Sequence, residues 1–138
     1  MARARSRLNN GILLLDSEGL RKAVNADAQV TAFIRAAQSE DMLIAVSDLP
    51  LIEAWHAKIR MDRFRWYTSR LEILPVSESI TWHAIELLRE AGLHGHKYAI
   101  DAVVAATALS YLGPCIVLTS DVDDMQKLCG RRVQIEEI

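Results

Sequence analysis

Short apolar runs alternate along this chain with segments whose apolar residues recur at helical spacing. The first run, ILLLD at residues 12–16, is apolar up to its final aspartate and predicts a buried strand. More strands are predicted at residues 42–46, 71–75 and 115–119 and in the closing RVQIEEI. Strands that are apolar at successive positions are typical of a parallel sheet covered on both faces. The alternation of strands and helices therefore predicts an α/β fold, a three-layer α/β/α sandwich around a central parallel sheet of about five strands.

Helices are predicted where apolar side chains form a stripe between helix start and stop signals. Residues 27–38 form one such helix, and Ser47 or Asp48 caps another that has Pro50 in its first turn. We expect this second helix to carry four apolar side chains inward: Leu51, Ile52, Trp55 and Ile59. The remaining helices are expected after a Ser77 cap, at residues 98–112 and at residues 121–129.

The composition predicts one soluble domain. The chain has 138 residues, of which 51% are hydrophobic and 25% are charged, as in globular proteins with a core of their own. No apolar run approaches the roughly 20 residues of a membrane span, so we expect no membrane association and a cytoplasmic location. The basic start MARARSR favours a disordered arm over residues 1–10, followed by a folded domain at 11–138. Cys115 and Cys129 lack metal-site spacing and are expected to be buried free thiols rather than a disulfide.

Positive charge is concentrated in one segment, although the net charge is only −2. Between residues 56 and 70 a single acid opposes five basic residues: Lys58, Arg60, Arg63, Arg65 and Arg70. A basic helix beside an acidic pocket suits a polyanionic substrate such as RNA. An ordinary solvated helix face explains the same charges, and the charge pattern alone does not choose between the two.

Four acidic residues stand out because each lies among apolar neighbours at the end of a predicted strand or at the start of the following helix. They are Asp16, Glu53, Asp101 and Asp121. The carboxyl ends of parallel strands share one edge of a sheet, so the four carboxylates are expected to converge there. Converging carboxylates repel one another, and a divalent cation is the usual compensation. The pattern therefore predicts a metal-dependent enzyme that acts on a phosphate.

Each of these acids also has an ordinary structural interpretation. Asp101 is the only charged residue of its predicted helix, but backbone N–H groups stabilise a carboxylate in a first turn. Glu53, also expected in a first turn, resembles a capping-box residue, and Asp16 or Asp121 could cap the segment that follows it. Asp124 lies one turn after Asp121, so it is a second candidate for the fourth acid. Three neighbouring hydroxyls could steady a carboxylate or a water, or simply form turns: Ser17, Thr119 and Ser120.

The segments around the acids resemble the four acidic motifs of the PIN domain. They read LLLDSEGL, LIEAW, AIDAVVAATAL and VLTSDVDDMQKL. The resemblance covers residues 11–138, and within PIN domains the chain is similar to the small bacterial ribonuclease toxins of the VapC type. Ser17 stands where many members have threonine, which keeps the hydroxyl. The fourth motif often reads Thr-Arg-Asn-x-x-Asp, an alignment that makes Asp124 the family's acid and puts Asp121 in the place of asparagine.

The resemblance implies a metal-dependent endoribonuclease that hydrolyses RNA with Mg²⁺ or Mn²⁺ and acts as the toxin of a type II toxin–antitoxin pair. By motif, the catalytic and metal-binding residues become Asp16, Glu53, Asp101 and Asp121, with Asp124 as a further ligand. It also implies an antitoxin protein as partner, and a homodimer. We expect the basic residues from Lys58 to Arg65 to hold the RNA backbone without reading its sequence.

Other interpretations stay open at this point. One is a PIN-like RNA-processing nuclease without an antitoxin, and another is a non-catalytic PIN-like module that only binds a partner. A receiver domain also has an acidic pocket, but it needs an aspartate directly after its third strand, and LEILP at 71–75 has none. A zinc site at His94 and His96 lacks a third ligand nearby, and their glycine-rich segment is expected to be a loop.

Overall fold

The computed structural model describes residues 10–138, and its five strands form one parallel sheet. The strands are β1 (Ile12–Leu15), β2 (Leu43–Ser47), β3 (Glu72–Leu74), β4 (Cys115–Thr119) and β5 (Gln134–Glu137). Their order across the sheet is β3-β2-β1-β4-β5, and each neighbouring pair is parallel. The prediction of an α/β sandwich with a five-stranded parallel sheet is confirmed. The disordered arm predicted for residues 1–10 falls, apart from Asn10, outside the described residues.

Seven helices cover the sheet within residues 10–138. They are α1 (Ser17–Val24), α2 (Ala28–Ser39), α3 (Asp48–Ala54), α4 (Met61–Thr68), α5 (Glu78–Ala91), α6 (Gly95–Leu109) and α7 (Val122–Cys129). Successive side chains of a strand point to opposite faces. Leu14 accordingly packs in a core with α5, α6 and α7, whereas Leu13 packs in a second core with α1 and α2. Every β1 residue is at most 1% exposed, so β1, the central strand of the sheet, is covered by helices on both faces.

One predicted helix is two helices in the structure. Helix α3 ends at Ala54, Trp55 adopts an extended backbone, and the chain becomes helical again only at Met61. The inward positions predicted for Ile52 and Trp55 are wrong, since these side chains are 69% and 44% exposed. Ala54 faces the core instead and is fully buried. The apolar spacing of this segment therefore continues across a break in the helix.

Two other helices differ from the expectation. Sequence reasoning gave no helix after Asp16, yet α1 begins there, because the Asp16 side chain accepts a hydrogen bond from the backbone N–H of Gly19. The buried helix predicted at residues 98–112 spans Gly95–Leu109, so it begins inside the segment that was expected to be a loop.

Among residues 10–138, no helix is both long enough and apolar enough to cross a membrane. Cys115 and Cys129 are both buried and free, as predicted.

Candidate active site

The candidate site lies at the carboxyl edge of the two central strands. β1 and β4 are paired from Ile12 opposite Cys115 to Leu15 opposite Leu118. Asp16 follows β1 directly, and Asp121 follows β4 after one intervening residue. Since the strands are parallel neighbours, their ends bring these two acids to the same edge of the sheet. In open α/β sheets this edge is where ligands bind.

Asp16 is the most enclosed acid of the site, with 6% of its surface exposed. Its Oδ1 accepts a hydrogen bond of 2.7 Å from the Gly19 N–H, so it also caps α1. Burial raises the pKa of Asp16 above its ordinary value, although the bond from Gly19 and the contact with the Thr119 hydroxyl act in the opposite direction. The nearby charge of Asp121 raises the pKa further. This carboxylate is therefore held rigidly in a place that disfavours its negative charge.

Asp101 has a strongly perturbed carboxylate. It lies in the second turn of α6 rather than in the first turn, so the predicted stabilisation by the helix start is wrong. Burial raises its pKa to about 6, and four other carboxylates add to the rise: those of Asp121, Asp124, Asp16 and Glu53. The contribution of all four means that these side chains lie close enough to Asp101 to repel its charge.

Glu53 reaches the cleft from the last turn of α3, not from the first turn as predicted. The capping-box interpretation of Glu53 is therefore wrong, because that motif requires a position near the start of a helix. A carboxylate near the last turn faces the negative end of the helix dipole, which gives it no local stabilisation. Its place in the cleft has no local structural explanation.

Asp121 and Asp124 both line the cleft, whereas Asp123 between them is exposed and lies outside it. The Asp121 side chain makes no capping hydrogen bond to α7, but its backbone N–H donates to the Thr119 hydroxyl over 3.0 Å. Thr119 is fully buried and contacts the Asp16 carboxylate as well. The Thr119 hydroxyl thus contacts both strand-end acids, at the Asp16 carboxylate and at the Asp121 backbone. Both candidates for the fourth acid, Asp121 and Asp124, line the cleft.

These residues surround an open cleft of about 740 Å³. Six carboxylates line it: Asp16, Glu18, Glu53, Asp101, Asp121 and Asp124. Two of the three predicted hydroxyls, those of Ser17 and Ser120, also face the cleft. The structure therefore brings together every acid that sequence reasoning singled out.

The basic residues predicted to bind RNA are not part of the cleft lining. Lys58, Arg60, Arg63 and Arg65 are all exposed, and the first two lie in the connection between α3 and α4 instead of in a helix. Arg60 pairs with Asp62 over 2.9 Å. Arg63 borders a separate cavity of about 550 Å³ beside α1.

Sequence reasoning did not assign to the site three charged residues that line the cleft, Glu18, Arg21 and Lys97, and it expected His96, which also lines the cleft, to lie in a loop. Glu18 and Arg21 are three residues apart on α1 and therefore share a face. The apolar spacing after Asp16 was a signal for that helix. The positions of His96 and Lys97 follow from the early start of α6, for which the sequence offers no side-chain cap.

The donor set fits a hard divalent cation. Carboxylate and hydroxyl oxygens suit magnesium, calcium and manganese, and magnesium keeps several waters while binding one or two carboxylates. Among residues 10–138, no three acidic, histidine or cysteine side chains are already close enough together to enclose a metal ion. Waters would therefore complete the coordination. Burial, and after it the charges of the neighbouring carboxylates, raise the pKa of Asp101, and a bound cation would compensate both effects.

Comparison with known proteins identifies a family. Residues 25–130 match the family model of the PIN domain, which is more than half of the chain. No curated protein sequence matches the chain.

Two solved structures are similar in fold. One is a chain from the structure of VapBC2 from Rickettsia felis bound to a DNA fragment from the promoter of that pair. It has a TM-score of 0.67 at 18% identity, and the match covers 92% of this chain and 98% of that chain. The other comes from a toxin–antitoxin complex of Klebsiella pneumoniae, with a TM-score of 0.64 at 18% identity and coverage of 91% and 99%. At this identity the likeness shows the fold.

Proposed function

This chain belongs to the PIN domain family, and from that premise we propose that it is a metal-dependent endoribonuclease that hydrolyses RNA phosphodiesters. PIN domains are generally nucleases, and these nucleases generally use divalent metal ions. The observation that supports the proposal most is the convergence of Asp16, Glu53, Asp101, Asp121 and Asp124 in one open cleft. Such a concentration of negative charge would repel a phosphodiester unless a cation stands between them.

In the proposed mechanism, Asp16 and Asp101 would be the direct ligands of a Mg²⁺ or Mn²⁺ ion. Burial raises the pKa values of both residues, so a bound cation would stabilise their charged forms. Glu53 and Asp121 would bind the ion through waters, Asp124 would be a further ligand, and Ser17 and Ser120 offer hydroxyls in the same cleft. When bound, such a cation would supply a water of lowered pKa as nucleophile and positive charge beside the phosphate, whose bond to the 3′-oxygen breaks. Hydrolysis of this kind leaves a 5′-phosphate and a 3′-hydroxyl.

The protein's own contribution is to fix the carboxylates before the substrate arrives. The Gly19 N–H and the Thr119 hydroxyl hold Asp16, while α6 carries Asp101 on a buried, rigid helix. Fixed groups in a partly enclosed site need little reorganisation during the reaction, which is the main source of electrostatic catalysis. Outside the cleft, Lys58, Arg60, Arg63 and Arg65 are exposed cations that would hold more distant backbone phosphates.

The RNA cleavage experiment is direct. Purified wild-type protein is incubated with a mixed RNA pool in Mg²⁺ or Mn²⁺ and, separately, in EDTA. We expect cleavage only with metal, and its loss in Asp101→Asn. The matched control is Asp123→Asn, which removes the same charge from an exposed residue outside the cleft and should cut normally. Cleavage that persists in Asp101→Asn at the wild-type rate would contradict the proposal.

We further propose that the chain is the toxin of a type II pair with an antitoxin protein, that it forms a homodimer and that it acts in the bacterial cytoplasm. The toxin role is supported by the similarity in fold to chains from two toxin–antitoxin complexes. Induced expression in a bacterium should stop growth with the wild type but not with Asp101→Asn. Light scattering should give twice the mass of one chain. RNA cleavage without growth arrest would favour the alternative, an RNA-processing nuclease that has no antitoxin. A non-catalytic module would cut no RNA at all.

A further inference from the structure

Arg21 connects α1 to the helix that carries Glu53. Its Nη1 donates to Glu18 Oε2 over 2.6 Å, and its Nη2 donates to the backbone carbonyl oxygen of Glu53 over 3.1 Å. All three residues line the acidic cleft. One guanidinium therefore joins a carboxylate on its own helix to the backbone at the end of α3.

The end of α3 depends on contacts from outside the helix. α3 has only seven residues, and its N-cap residue, Ser47, makes no capping hydrogen bond with its side chain. Helices of this length are marginal without packing, and the last carbonyls of any helix lack partners within it. A cation that donates to one of these carbonyls satisfies it and also opposes the negative end of the helix dipole. Arg21 fulfils both roles at the residue whose side chain enters the cleft.

Glu18 holds the guanidinium for this contact. Arg21 and Glu18 are spaced three residues apart on α1, and their side chains are 30% and 34% exposed. The Nε of Arg21 is buried, so the side chain lies along the protein surface and does not extend into solvent. The rigid planar fork of arginine can serve two acceptors at once, whereas lysine offers a single compact ammonium group.

We propose that Arg21 is a positioning residue of the cleft: it fixes the last turn of α3, and with it the direction of the Glu53 carboxylate. This role rests on the proposed nuclease function. A positioning role and a purely electrostatic role predict opposite changes in metal affinity when Arg21 is replaced. Removing a cation from an acidic cleft would by itself strengthen the binding of a divalent metal. Losing the position of Glu53 would weaken it.

Hydrogen exchange in metal-free protein tests the structural part. Arg21→Met should speed amide exchange in residues 51–55 about tenfold, as expected for the loss of a charged hydrogen bond. Lys22→Met is the matched control, because it removes the same charge from the next residue of α1, outside the cleft lining. Arg21→Lys keeps the charge and serves if the methionine variant does not fold; it should speed exchange about threefold. Equal exchange in wild type and the folded Arg21 variant would overturn the proposal.

Kinetics test the functional part. We expect Arg21→Met to lower kcat and to need roughly tenfold more Mn²⁺ for half-maximal RNA cleavage, with KM for RNA within about twofold of wild type. Lys22→Met should match the wild type in all three quantities. A lower Mn²⁺ requirement in Arg21→Met would assign Arg21 a purely electrostatic role and overturn the proposal. If the wild type itself cuts no RNA, the nuclease proposal fails, whereas the exchange comparison still decides whether Arg21 fixes α3.

Discussion

Replacing Asp101 by asparagine should make the metal-free protein more stable while abolishing its activity. The burial of Asp101 and its four acidic neighbours raise its pKa from 3.8 to about 6, so its negative charge is unfavourable in the folded protein at neutral pH. Asparagine has nearly the shape of a protonated aspartate and carries no charge. The substitution therefore removes the repulsion and leaves the packing of α6 intact.

The size of the effect follows from the pKa. A rise from 3.8 to about 6 corresponds to about 3 kcal/mol at ~1.4 kcal/mol per pH unit. Asp101 is only partly buried, and solvent screening reduces this to roughly 1–2 kcal/mol. Between about pH 4 and pH 6 the folded protein binds the Asp101 proton more tightly than the unfolded chain does, so wild-type stability falls as pH rises through this window. The advantage of asparagine is therefore small near pH 4 and complete above pH 7.

Urea unfolding followed by circular dichroism, in EDTA at pH 4 and at pH 7.5, measures the difference. At pH 7.5 we expect a higher urea midpoint for Asp101→Asn at unchanged slope, and at pH 4 nearly equal midpoints. Asp123→Asn should stay within about 0.5 kcal/mol of wild type at both values. Saturating Mn²⁺ should stabilise the wild type more than Asp101→Asn, because only the wild type retains the full binding site. An asparagine variant that is no more stable at pH 7.5, or equally stabilised at pH 4, would refute this reasoning.

Further predictions concern the support of the cleft and the core. Gly11→Ala should destabilise the protein by about 3 kcal/mol in urea unfolding, because φ is +102° and an added Cβ would lie 2.4 Å from the Pro114 carbonyl oxygen. Thr119→Val keeps the buried volume but removes the hydroxyl that supports the strand-end acids, and should lower kcat about tenfold in the RNA assay. Burial raises the pKa of Cys115 to about 12 and that of Cys129 to about 11, so a thiol reagent at pH 8 should label neither until the protein unfolds.

The layers of the fold could be predicted because their signals are local. Each buried strand is an apolar run in the sequence, and helix ends carry recognisable caps such as Ser77, whose hydroxyl accepts from the Ile80 N–H. The break after Ala54 has no such signal. Apolar spacing continues from Leu51 to Ile59 as if one helix persisted, but the extended backbone of Trp55 ends the helix directly after Ala54, which packs in the core. Tertiary packing decided that boundary.

The acids of the site could also be predicted, since a lone charge inside an apolar segment is unusual in any chain. Arg21 is different in kind. Its partner Glu53 lies 32 residues away, and the contact depends on how α1 and α3 meet at the cleft. Lys97 likewise enters the cleft only because α6 begins at Gly95. Residues that act through such contacts leave no pattern in the sequence.

The most direct test of the central claim is to titrate metal-free protein with Mn²⁺ in the absence of RNA and to measure binding by electron paramagnetic resonance. The claim is that the acidic cleft holds the divalent cation. It predicts saturable binding to the wild type, affinity at least about tenfold weaker in Asp101→Asn, and unchanged affinity in Asp123→Asn. Equal Mn²⁺ affinity in the wild type and Asp101→Asn, or no saturable binding to the wild type, would contradict it.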